Sequence, residues 1–98
     1  MDKIKIDGVE FDAYTIPTTN ATMLLIRSSL GMLACGYIKV ETAEKLGDAL
    51  AIVTGVSSYD DMLHKNVVAV SSAAKALGIC EGMSGLEALI LMKPSSKN

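Results

Sequence analysis

Residues 3–13 read KIKIDGVEFDA, and this stretch determines how the chain begins to fold. Apolar residues alternate with charged ones on both sides of Asp7-Gly8. An Asp-Gly pair between alternating segments is a strong hairpin signal, because a type I′ turn requires a positive φ at both central residues. The pattern therefore predicts two paired strands, at about 3–6 and 9–16.

A second hairpin is predicted immediately downstream. Met23–Arg27 is a short, mainly apolar run, which is typical of a central strand. The segment Ser28–Gly31 has the composition of a turn, with a positive φ expected at Gly31. Met32–Val40 then reads as the returning strand. The first 40 residues thus predict two hairpins in one antiparallel sheet.

Beyond residue 40 the apolar residues recur mostly at helical spacing. Two serines, each followed three residues later by a carboxylate, have the pattern of a capping box that starts a helix. The predicted elements are a helix with Thr42 as N-cap, a short strand at Ala51–Val53, a helix at about 59–65 after Ser58, a helix at 69–77, and a last helix from Ser84 that Pro94 ends. For the run Val67–Val70 a strand is the alternative to the start of the helix at 69–77.

Strands followed by helices indicate an α+β fold. We expect an antiparallel or mixed sheet of about five strands, made of the two N-terminal hairpins and one later strand. Helices from the second half of the chain should cover one face of this sheet. The length suits a single compact domain at 1–93, with a flexible tail at 94–98.

Composition excludes several classes of partner. The chain has 98 residues, a net charge of −2 and no basic run, so a nucleic-acid partner is not expected. It has neither a signal peptide nor an apolar run of the roughly 18 residues that span a membrane, which predicts a soluble, cytoplasmic protein without a membrane partner. The mean hydropathy of +0.37 predicts a homo-oligomer, most simply a two-fold dimer.

Three segments in series carry a resemblance to known proteins. They are GMLACGY at 31–37, AIVTGV at 51–56, and the stretch 73–89 that ends in GMSGLEAL. In this order they resemble the YunC-like family of small uncharacterised prokaryotic proteins, over nearly the whole chain. The resemblance implies a compact α/β domain with no established activity. The family pattern usually has an Asp or Asn where this chain has Lys39, and an Arg where it has Leu86.

The two cysteines give no recognisable spacing motif. Cys35 and Cys80 are expected to be free thiols of a cytosolic protein, although a disulfide between them stays open. Cys35 is a candidate catalytic nucleophile, with His64 or an aspartate as its base. The alternative is that Cys35 is a small buried apolar residue. One histidine and two separated cysteines do not form a zinc pattern, so no metal and no cofactor are expected.

A small-molecule site is predicted at the turn that follows the strand at 51–53. The turn offers hydroxyl groups and backbone amides at a strand end, where α/β proteins commonly bind ligands. A second turn at 82–85 could lie close by, although capping chemistry already explains most of its polar residues. The candidate ligand-binding residues are Thr54, Gly55, Ser57, Ser58, Gly82 and Ser84.

The sequence leaves three functions open. The first is an oligomeric domain that binds a small polar ligand near 54–58. The second is an enzyme that uses Cys35. The third is a structural subunit of a larger assembly, which a large exposed apolar patch would favour.

Overall fold

The computed structural model describes residues 2–94, which form one six-stranded sheet and four helices. The tail predicted at 94–98 lies, beyond Pro94, outside the described residues. The elements are β1 (Asp2–Ile6), β2 (Val9–Pro17), β3 (Thr22–Arg27), β4 (Met32–Ala34), α1 (Val40–Leu46), β5 (Leu50–Ile52), α2 (Tyr59–His64), β6 (Ala69–Val70), α3 (Ser72–Ala76) and α4 (Gly85–Leu91).

The six strands lie side by side in chain order. The strands β1 to β4 form an antiparallel meander, β4 and β5 run parallel, and β6 returns antiparallel to β5. Asp7 has a φ of 52° and Gly8 a φ of 81°, which confirms the predicted type of turn between β1 and β2. The α+β fold and the mixed sheet are confirmed, with six strands instead of about five.

The prediction of one helix at 69–77 was wrong at its start, because Ala69–Val70 form the sixth strand, as the alternative for this run allowed. Val70 pairs with Ala51 in the sheet, and only then does α3 begin. Ser71 separates the two elements and is buried. Its hydroxyl accepts from the amides of Leu50 and Ala74 and donates to the carbonyl of Asp48. A buried serine with three partners starts α3 and fixes its position against β5.

The predicted strand at 32–40 was also wrong, because β4 ends at Ala34. The amide of Ile38 donates to the carbonyl of Cys35, which closes a turn, and α1 begins at Val40. The predicted N-cap Thr42 lies inside this helix, and Lys39 is the N-cap, without a side-chain capping bond. A helix at this point is needed to carry the chain from β4 to a parallel neighbour.

Gly31 does not have the positive φ predicted for it. It is required for a different reason: a Cβ atom there would stand 2.9 Å from the Cβ atom of Ala49, closer than side chains tolerate. The amide of Met32 also donates to the carbonyl of Ala49 at 3.0 Å. Gly31 thus allows the chain that precedes β5 to approach the start of β4.

Helices lie on both faces of the sheet, whereas the sequence predicted helices on one face only. Helices α2, α3 and α4 lie on the face that carries the larger apolar core, which includes Phe11, Ile26 and Leu33. Helix α1 covers part of the other face, where Ala43 packs near Leu50. Within residues 2–94, no helix has the length and hydrophobicity needed to cross a membrane.

Candidate functional site

A cleft of about 360 Å³ opens where the parallel strands β4 and β5 end. Both strands point their carboxyl ends at the same edge of the sheet, so the loops that follow them face each other there. The loop between β2 and β3 forms the third wall. The lining residues are Ala21, Thr22, Cys35, Gly36, Tyr37, Thr54, Gly55 and Val56.

Cys35 lies directly after β4 and is only 5% exposed. Its amide donates to the carbonyl of Leu24 at 3.1 Å, and its Sγ accepts from the amide of Leu24 at 3.3 Å. This pair of bonds holds the thiol against β3. Both Cys35 and Cys80 are free thiols, the first buried and the second exposed.

Thr54 and Gly55 follow β5, one residue after its end, and lie opposite Cys35 and Gly36 in the cleft. A Cβ atom at Gly36 would stand 3.3 Å from Cγ2 of Thr54, so the two loops approach closely. Gly55 has a φ of 70°, which favours glycine. The structure thus brings Cys35 together with two of the predicted ligand-binding residues.

The ammonium group of Lys65 reaches the turn at 54–58, although Lys65 lies outside this turn in the sequence. Lys65 follows α2, and its Nζ would lie 3.7 Å from a Cβ atom at Gly55. Residues 54–62 themselves contain no lysine or arginine. The helix α2 is short enough for a lysine after its last turn to extend back to the loop before its first. Lys65 does not line the cleft, but its ammonium group stands at the edge.

The other two predicted residues of this turn are used to start α2. Ser58 is the N-cap, and its hydroxyl accepts from the amide of Asp61 at 3.1 Å. The amide and the hydroxyl of Ser57 both donate to Oδ2 of Asp61 at 3.0 Å. These bonds, the backbone bond from Ser57 first, hold the pKa of Asp61 below its ordinary value. Ser57 and Ser58 are therefore not among the residues that line the cleft.

The turn at 82–84 is not part of the cleft lining either. The amide of Gly82 donates to the carbonyl of Val67 at 2.9 Å. The amide of Ser84 donates to Glu87, and its hydroxyl accepts from the amide of that residue, so both bonds of the predicted capping box are present. The polar groups of this turn serve the start of α4.

Two tyrosine hydroxyls connect the β2–β3 hairpin to the rest of the site, and sequence reasoning singled out neither. Tyr37, after β4, has its hydroxyl 2.9 Å from Oγ1 of Thr18. Tyr59, the first residue of α2, accepts from Thr15 at 2.5 Å, and burial raises the pKa of its phenol. Only Tyr37 had a sequence signal, its place in the segment GMLACGY at 31–37, which the sequence assigned to the predicted strand at 32–40.

The residues that line the cleft supply hydrogen-bonding groups but no carboxylate, imidazole or amine. Thr22, Tyr37 and Thr54 carry hydroxyls and Cys35 a thiol, and none of the lining side chains is a carboxylate, an imidazole or an amine. His64 lies on the exposed face of α2, with Nδ1 2.9 Å from the carbonyl of Asp60. The lining therefore favours binding over catalysis at this cleft. The role of Cys35 as a nucleophile stays a prediction. Within residues 2–94 no cluster of three His, Cys, Asp or Glu residues could hold a metal ion.

Comparison with known proteins gives consistent results over nearly the whole chain. A family profile described as a domain of unknown function, DUF1805, matches residues 34–92. The chain is 32% identical over 93 residues to the uncharacterized protein YunC of Bacillus subtilis (strain 168), covering 91% of this chain and 92% of that protein. It is also similar to the crystal structure of a protein of unknown function from Thermoplasma acidophilum, with 35% identity, a TM-score of 0.89, and coverage of 93% of this chain and 89% of the other.

Proposed function

Because the chain belongs to the DUF1805 family, whose compared relatives are described as uncharacterised or of unknown function, we propose a function from its geometry: the cleft binds a small, uncharged polar molecule. The observation that carries this proposal is the cleft at the ends of the parallel pair β4 and β5. Ligands of open α/β sheets commonly bind at such a place, outside the carboxyl ends of strands.

The size of the cleft supports a small ligand. Its volume of about 360 Å³ lies near the lower end of the range usual for small-molecule sites. Cys35 and Thr54 contribute side chains from opposite loops, and Gly36 and Gly55 expose backbone there. A ligand between the loops would therefore meet hydrogen-bonding groups from both strand ends.

The charges around the cleft support an uncharged ligand. The lining side chains are all neutral, and Lys65 lies only at the edge, beside Gly55. The carboxylates of Asp60 and Asp61 lie in the first turn of α2, a few residues further on. A phosphate or carboxylate in the cleft would be desolvated without a counter-charge in contact, which is costly.

A thermal-shift experiment tests this proposal. Uridine, glucose and nicotinamide serve as uncharged probes, and succinate and glucose 6-phosphate as anions. We expect at least one uncharged probe to raise Tm in the original chain, and this rise to be lost in Thr54→Val, which removes a hydroxyl without changing the shape of the side chain.

Thr42→Val is the matched control, because Thr42 lies on α1 and not in the cleft. The stabilisation should survive in this variant. The proposal fails if no uncharged probe raises Tm, or if the rise is the same in Thr54→Val as in the original chain.

We also propose that the chain forms a homodimer through the face of the sheet that α1 leaves open. An apolar groove of about 230 Å³ lies on that face, and Ile16 at its border is 52% exposed. Apolar surface of this kind is stabilised by a partner that removes it from water. The groove is lined by Tyr14, Ile16, Met23, Leu24, Leu25, Arg27 and Ile38.

Light scattering at micromolar concentration tests the dimer. We expect a dimer mass for the original chain and a monomer mass for Ile16→Glu. Leu46→Glu is the control, because Leu46 is 70% exposed but lies on α1, away from the groove. A monomer mass for the original chain would contradict the proposal.

A further inference from the structure

We propose that the hydrogen bond between Tyr37 and Thr18, called here the tyrosine bridge, controls access to the cleft and to the thiol of Cys35. The two hydroxyls are 2.9 Å apart and join the loop after β4 to the loop between β2 and β3. Tyr37 lines the cleft, and so does Ala21 from the opposite loop. The tyrosine bridge therefore spans two walls of the same opening.

The threonine is the fixed end of the tyrosine bridge. The amide of Thr18 donates to the carbonyl of Ala21 at 2.8 Å, and the amide of Ala21 donates back to Oγ1 of Thr18 at 3.0 Å. The hydroxyl of Thr18 also donates its single proton to the carbonyl of Ala21 at 3.0 Å. With the proton of Thr18 directed at Ala21, Tyr37 is the donor and Thr18 the acceptor of the tyrosine bridge.

The tyrosine is the end that moves. Tyr37 sits in the two-residue turn closed by the bond from the amide of Ile38 to the carbonyl of Cys35, and its side chain is 51% exposed. Rotation of an exposed side chain is fast and needs no change in the sheet. Cys35 lines the same cleft but is only 5% exposed, so a reagent reaches its thiol when a neighbouring side chain moves aside.

This inference deepens the proposed function, because it describes how a molecule would enter the cleft proposed to bind it. Its test does not depend on ligand binding, since the readout is alkylation of Cys35. Iodoacetamide is added to the intact protein at neutral pH, and peptide mass spectrometry follows both thiols. Cys80 is exposed and reacts in the same sample, so the ratio of the two rates corrects for reagent and pH.

Tyr37→Phe keeps the ring but cannot donate, and Thr18→Val cannot accept. Each variant should raise the ratio of the Cys35 rate to the Cys80 rate roughly two- to ten-fold, the range that the loss of one exposed hydrogen bond implies. The double variant should add nothing to the single ones, because both remove the same bond. Thr18→Ser retains the hydroxyl and should leave the ratio unchanged.

Tyr59→Phe is the second control. It also removes a hydroxyl bond to the β2–β3 hairpin, through Thr15, but Tyr59 does not line the cleft. If a general loosening of the hairpin exposed Cys35, this variant would raise the ratio as well, and the inference would be overturned. An unchanged ratio in Tyr37→Phe and Thr18→Val would also overturn it.

Discussion

Two helices of this molecule begin with the same chemistry and lie in opposite surroundings. Helix α2 starts at Ser58 and α4 at Ser84, and each serine accepts from the amide of a carboxylate residue three positions on. Each start has a glycine close by, Gly55 before α2 and Gly85 at the first position of α4. The first start borders the open cleft, whereas the second is packed into the molecule.

The two glycines explain this difference. A Cβ atom at Gly55 would meet only the flexible end of Lys65. A Cβ atom at Gly85 would overlap the carbonyl oxygen of Met62 on α2 and lie 2.9 Å from Cδ2 of Leu33. The amide of Gly85 also donates to the carbonyl of Lys65. The same capping pattern can therefore start a helix beside an open cleft or a helix packed against another one. The space around the neighbouring glycine distinguishes the two cases.

The largest expected effect comes from adding a methyl group at each glycine. Gly85→Ala should lower the free energy of unfolding by about 3 kcal/mol or more, because α4 must move away from α2. Gly55→Ala should lower it by only about 1 kcal/mol, the cost of a positive φ for alanine. Urea unfolding of the two variants measures both values. A smaller loss for Gly85→Ala than for Gly55→Ala would break the comparison.

The serine caps give a smaller effect. Ser84→Ala should cost about 1–2 kcal/mol and Ser58→Ala about 1 kcal/mol, within the range known for N-cap serines. The second value is lower because two bonds from Ser57 to Asp61 remain when Ser58 is replaced, whereas only the bond from the amide of residue 84 to Glu87 remains in Ser84→Ala. Urea unfolding measures this difference as well. Ser29→Ala, in an exposed turn, is the surface control and should leave the stability within about 0.5 kcal/mol.

The smallest effect is the part of the pH dependence of stability that comes from Asp61 at the start of α2. The pKa of Asp61 is lowered in the folded protein, so its contribution to stability is present above its ordinary pKa of 3.8 and is lost as the pH falls through the lower, folded value. Between pH 5 and pH 2.5, Asp61→Asn should therefore lose less stability than the original chain.

Asp60→Asn is the matched control for this measurement. It removes the same charge from the same turn of α2, but Asp60 accepts no hydrogen bond from Ser57, which bonds to Asp61. Urea midpoints at the two pH values should therefore depend on pH in this variant much as they do in the original chain. If Asp60→Asn and Asp61→Asn behaved alike, the charge of the turn and not the serine bonds would be responsible.

Local signals in the sequence predicted the first hairpin and the starts of α2 and α4. The Asp7-Gly8 turn and the alternating residues around it need only near neighbours to form, and so do the caps at Ser58 and Ser84. These elements were correct because each is stabilised by bonds within a few residues.

Elements that depend on distant parts of the chain were not predicted. The buried hydroxyl of Ser71 bonds to Leu50 and Asp48, and this connection divides β6 from α3. The end of β4 at Ala34 depends on its parallel pairing with β5. Periodicity cannot distinguish a strand followed by a short helix from one longer helix when the deciding partner lies more than 20 residues away.

The residues of the candidate site also fall into those that local sequence signals predicted and those that depend on distant parts of the chain. Cys35 was proposed from its residue type, and Thr54 and Gly55 from their place after the strand predicted at 51–53, and all three line one cleft. Tyr37 and Thr22 join them only because β3 and β4 pair, which sequence spacing does not show. Side chains that act across a sheet edge are defined by topology, so they enter the site only when the strand order is known.

The parallel pairing of β4 and β5 also has a consequence for the order of folding. The meander from β1 to β4 forms by successive hairpins, each of which closes a short loop. The pair β4–β5 has to close a longer loop that contains α1, and contacts between distant residues form more slowly. We expect the cleft to be the last part of the sheet to form, so that in refolding the thiol of Cys35 becomes protected after the hairpins have gained their amide protection.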